Sequence, residues 1–272
     1  MKKLSFLAVA FAAMAFAACQ GNKGAQTGVQ SETDSLKAFE QEQIEASIKM
    51  HVDSLASEIG KLKMVPFLQS DGNGGIQLTK EEKQVKPDYL LDPASAEEAT
   101  VLSEKYRLLS ALDVDKRVAK LYEMPTEDYD KAITKLAADI NDPSFKVLDN
   151  EDNTSVSETT QKLYEEMEKN GRLNYFWQIA AASLIEQLYL ANQNSDKYLS
   201  TFTDEAAAST TFRVVLILDA LNRLGQYDPE IQPVSEALAP LNVLNATTVA
   251  ELKAQIAEAK DKIIAAREAL VK

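Results

Sequence analysis

The chain has 272 residues, with 42 acidic side chains against 29 basic ones and a formal net charge of −13 at neutral pH. An acidic excess on this scale excludes a binder of nucleic-acid phosphate as the default and disfavours an electrostatic grip on anionic lipid. One cysteine excludes internal disulfides and the CxxC and Cys/His zinc patterns, while nine glycines and eight prolines are few for the length and suit a helical protein with a sizeable core.

Residues 1–18 read as a leader. Lys2 and Lys3 precede an apolar run from Leu4 to Phe16, and Ala17 and Ala18 are the small residues a signal peptidase requires. The run is too short, and too abruptly polar after Cys19, for a membrane-spanning helix. Phe16-Ala17-Ala18-Cys19 resembles the lipobox of bacterial lipoproteins, with Phe16 where Leu is usual. The resemblance implies cleavage before Cys19, lipid on its thiol and amino group, and a chain held to a membrane through that lipid. Gln20 stands where an Asp would favour inner-membrane retention, and residues 20–30 contain no acidic run of the surface-export kind. By analogy the expected location is the periplasmic face of the outer membrane, with the cell surface as the alternative.

Residues 19–33, polar and without periodicity, read as a lipidated flexible tether. From Asp34 the spacing of Ile44, Ile48, Val52, Leu55, Ile59 and Leu62 predicts an amphipathic helix that Pro66 ends. VPFLQ and GIQLT then flank a Gly-rich turn, which allows one short β-hairpin near residues 65–79. Residues 85–93, with Pro87 and Pro93, form an extended connector and a candidate boundary within the folded part. Ser95 and Glu98 have capping-box spacing for the next helix, which the Asp113-Val114-Asp115 sequence is expected to interrupt. Pro125 and Thr126 precede a helix over Asp128–Ile140, closed by Asn141-Asp142-Pro143.

Leu163–Lys169 is an amphipathic piece stopped by Asn170-Gly171. Residues 174–194 and 211–225 are apolar on nearly all sides, as buried helices are; Gln178, Ser183, Glu186 and Gln187 argue against a membrane span in the first. Asp228-Pro229 starts a short helix that ends at Pro240. The last helix repeats Val249, Leu252, Ile256, Ala259, Ile263, Ala266 and Leu270 at alternating spacings of three and four, behind a Thr248–Glu251 capping box. This stripe is expected to lie packed along the bundle. The fold class read from these elements is all-α, an irregular helical bundle or helical-hairpin array forming a single domain over residues 34–272. KPDYLL, YFWQIAAASLIEQLY, FRVVLILDALNRL and PLNVLNATTVAELKAQI are similar to segments of all-helical Bacteroidetes lipoproteins of unknown function, a resemblance that covers residues 85–272 and implies no activity.

Few residues suggest chemistry. Gln69 to Ile76 resembles the middle of a calcium loop, but Gln69 and Lys80 occupy the end positions that need acids, and a register starting at Asp71 puts Ile76 where glycine is required. A Gly-rich turn without metal is the better reading. His51, the sole histidine, lies at the edge of an apolar face and reads as a boundary residue. Arg213 and Glu186 each interrupt a strongly apolar helix. They read as a buried ion pair joining two central helices, as two side chains snorkelling to the edge, or as a niche in which Arg213 clamps a ligand carboxylate. Tyr175, Phe176 and Trp177 cluster at a helix start, as core or as the lining of a groove. The candidate ligand-binding set is therefore Arg213, Glu186, Tyr175 and Trp177. Asp219 and Arg223, four apart, are expected to pair at the surface. No catalytic residue, cofactor, metal or nucleic-acid partner is expected. The functional expectation is a non-enzymatic binding or scaffolding lipoprotein with a protein partner in the envelope. The alternatives are a carrier of a small apolar or acidic ligand and a hydrolase without a recognisable motif.

Overall fold

The computed structural model describes residues 28–61, 76–147 and 156–271. The chain divides into two units, Met1–Glu40 and Gln41–Lys272, with the division inside the first helix. That helix, α1 (Gly28–Lys61), begins at Gly28 and not at Asp34, because residues 29–33 contain no glycine or proline to break it. Ile48 and Val52, four apart on its apolar face, are buried in the larger unit as their spacing predicts. The expected signal peptide, Cys19 and the expected Gly-rich turn lie outside the described residues, as does most of the candidate hairpin. Residues 76–79 have no regular structure, and there is no strand among the described residues.

A Thr79–Glu82 capping box opens the short α2 (Lys80–Gln84). The Ser95–Glu98 box does not form. Asp92 caps a 3-10 turn over Pro93–Glu97 instead, accepting from the Ala94 N–H at 2.9 Å, and Ser95 Oγ donates to the Asp92 carbonyl at 2.6 Å. Helix α3 (Leu102–Leu121) then runs unbroken through Asp113 and Asp115. The two aspartates point to different environments: Asp113 pairs with Arg117 on the surface at 2.8 Å, whereas Asp115 joins Leu108, Ala111, Leu112 and Val118 on the buried face.

Asn141 ends α4 (Glu127–Ile140) in the left-handed conformation, with φ 48°. After α5 (Val156–Lys169), Gly171 turns the chain with φ +67°, which only glycine adopts at little cost. Helix α6 (Leu173–Gln193) follows and sits at the centre, packed against α3, α5, the short α7 (Ser195–Tyr198), α8 (Asp204–Leu224), α10 (Val249–Glu258) and α11 (Lys260–Val271). Its all-round apolar sequence is explained by neighbours on every side: Trp177, Ala181, Ala182, Ile185 and Leu190 are fully buried. No helix among the described residues is long and apolar enough to cross a membrane.

Helix α9 (Gln232–Leu238) continues into a 3-10 turn over Ala239–Val243. The predicted last helix is two, α10 and α11, parted at Ala259, and the Thr248–Glu251 capping box starts the pair. Its stripe is buried from Leu252 through Ile256, Ala259, Ile263 and Ala266 to Leu270, and α11 packs on α3, α6 and α9. The described part of the larger unit thus has one continuous core, in an all-α bundle.

Candidate functional site

A buried charge network lies where α3, α6 and α11 meet. Glu186 of α6 has no solvent exposure, and Arg267 of α11 holds its carboxylate with a two-pronged fork: Nε donates to Oε1 and Oε2 at 3.0 and 2.8 Å, and Nη2 to Oε1 at 2.8 Å. Bidentate charge-assisted bonds of this kind are among the stronger hydrogen bonds proteins make. The Arg267 guanidinium also lies 3.9 Å from the centroid of the Tyr189 ring. Burial works against its charge, but the bonded Glu186 carboxylate outweighs that cost and holds its pKa above the usual arginine range.

Asp115 of α3 is the third member and is likewise fully buried, its Oδ2 3.9 Å from Arg267 Nη2. Oδ2 accepts the Leu91 backbone N–H at 2.7 Å, while Oδ1 is buried without a hydrogen bond. Burial first, and the neighbouring Glu186 charge second, push the Asp115 carboxyl well above the usual carboxylate range. Two carboxylates facing one guanidinium in an apolar interior cannot both stay ionised at reasonable cost. Burial and the facing Glu186 charge therefore favour the protonated form of Asp115.

This network ties the two-proline connector to the bundle. Tyr129 Oη donates to the Leu91 carbonyl at 2.9 Å, and Arg267 Nη2 reaches the Tyr89 carbonyl at 3.4 Å. Tyr89 and Tyr198 share a hydroxyl–hydroxyl bond of 2.6 Å, and Lys197 donates to Tyr122 Oη at 3.3 Å while pairing with Glu82. Residues 85–93 accordingly lie within the larger unit.

Glu186 and Arg213 are thus not a pair. Glu186 takes its arginine from α11, at the position after Ala266 of the C-terminal stripe, and not from α8. Arg213 of α8 has a different environment. Its Nη2 donates to Thr210 Oγ1 at 2.9 Å, and that hydroxyl gives its own proton to the Ala206 carbonyl at 2.8 Å. Arg213 Nε is buried without a partner, as is Ser209 Oγ one turn earlier. Burial, with no carboxylate opposite, lowers the Arg213 pKa to about 10, so the group stays charged at neutral pH. Elsewhere on α8, Asp219 and Arg223 pair at 3.0 Å as expected, and His51 Nε2 stands 3.4 Å from Asp219 Oδ2 at the edge of α1.

The aromatic cluster separates into two environments. Trp177 is fully buried in core, edge-on to Phe176 with centroids 5.3 Å apart, and its Nε1 has no partner. Tyr175 is half-buried and stacks on Tyr106 at 4.5 Å, with Arg172 beyond it, while Tyr106 Oη donates to Asp142. An open cleft of about 350 Å³ lies between Pro143, Lys146, Val147, Lys162, Glu165 and Glu166, none of them a candidate residue.

Sequence reasoning missed Asp115 and Arg267. Asp115 was legible in principle: it falls four residues after Ala111 and three before Val118, on the apolar stripe of α3. Comparison with protein-family models, with curated proteins and with solved structures finds no match to this chain.

Proposed function

We propose that this chain is a membrane-anchored envelope lipoprotein with a non-enzymatic binding or scaffolding role. The observation that carries the anchor is the leader itself: a basic start, an apolar run and Phe16-Ala17-Ala18-Cys19, with the sole cysteine at the position that lipidation requires. Lipid on Cys19 holds the chain at the outer membrane, on its periplasmic face, and an envelope protein is the expected partner. Support for a non-catalytic body comes from what its most perturbed carboxylates do. Asp115 and Glu186 are fully buried and engaged with Arg267 and the backbone of the connector, so their altered acidity serves packing. A second reading, a carrier of a small acidic ligand, draws on Arg213, whose buried Nε has no partner.

Fractionation tests the anchor. Wild-type protein is expected with the membranes and Cys19→Ser in the soluble fraction; a Cys19→Ser variant still sedimenting with membranes overturns the lipoprotein reading. Affinity capture from solubilised envelopes tests the role. A stoichiometric protein partner supports it, and turnover of a substrate by the purified chain overturns it.

A further inference from the structure

We draw no further inference here: the strongest candidate, the open cleft between the turn that follows α4 and helix α5, carries the lysines Lys146 and Lys162 beside the glutamates Glu165 and Glu166, so that its lining is neutral overall and nothing in the structure shows what covers it.

Discussion

Burial and the neighbouring Glu186 charge hold the Asp115 carboxyl above its ordinary pKa in the folded chain, and this difference from the unfolded chain sets the sign of its contribution to stability. Its folded pKa lies well above the ordinary value near 3.8. The contribution is therefore fully present below the unfolded pKa and is lost as pH rises through the folded one. Each unit of upward shift costs about 1.4 kcal/mol once the pH exceeds both values. Asparagine has nearly the same shape, does not titrate, accepts from Leu91 through its carbonyl oxygen and donates to Glu186 through its amide. Asp115→Asn is accordingly expected to melt close to the parent near pH 4 and above it at pH 7.5, with the gap widening between. Melting curves across that range check it; a variant less stable than the parent at every pH would show that Asp115 is ionised in the fold. This residue was readable only in part from sequence. Asp113 and Asp115 together look like a polar break, and separating them requires knowing that one faces Arg117 at the surface and the other Arg267, more than a hundred residues away.

At the scale of helices, the elements with strong periodicity and clear punctuation were legible. The 249–271 stripe, the Thr248–Glu251 cap, the all-apolar α6 and the stop at Asn141 all follow from local rules, because their signals lie within a turn or two of the residues they govern. The continuity of α3 escaped because it depends on contacts remote in sequence at Asp115, and the break at Ala259 carries no Gly or Pro signal. The buried stripe has a measurable consequence. Ile256 and Ile263 are fully enclosed, so truncating either to alanine is expected to cost about 2–5 kcal/mol. Lys253, whose partner Asp196 is 91% exposed, lies off the stripe, and Lys253→Ala should change stability by about 0.5 kcal/mol or less. Denaturant unfolding of the three variants beside the parent decides the matter. If Ile256→Ala melts like Lys253→Ala, the stripe is not what holds these helices down.

For the molecule as a whole, the helical class followed from composition and pattern, while the candidate site did not. Four residues chosen because they interrupt apolar helices or cluster as aromatics occupy separate environments: Glu186 is taken by Arg267, Trp177 lies in core, Tyr175 stacks on Tyr106, and Arg213 is left with a hydroxyl. Sequence marks which side chains are unusual, but which of them meet depends on the packing of helices far apart in the chain.

The anchoring of Leu91 extends into dynamics. Its amide belongs to a connector with no regular structure, and Val85 in the same segment is 74% exposed, so rapid exchange with solvent deuterium would be the ordinary expectation there. Yet the Leu91 amide nitrogen sits 2.7 Å from a carboxyl oxygen held between three helices. Releasing it requires α3, α6 and α11 to part. Leu91 should therefore exchange on the timescale of the amides at the middle of α6, slower by several orders of magnitude than exposed Asp88, with a free energy of opening close to that of global unfolding. Amide-resolved exchange measured by nuclear magnetic resonance reads this directly, and equal rates at Leu91 and Asp88 would mean that the connector peels away while the helices stay assembled. If Leu91 is slow, an irregular stretch of chain is one of the last parts of the protein to let go.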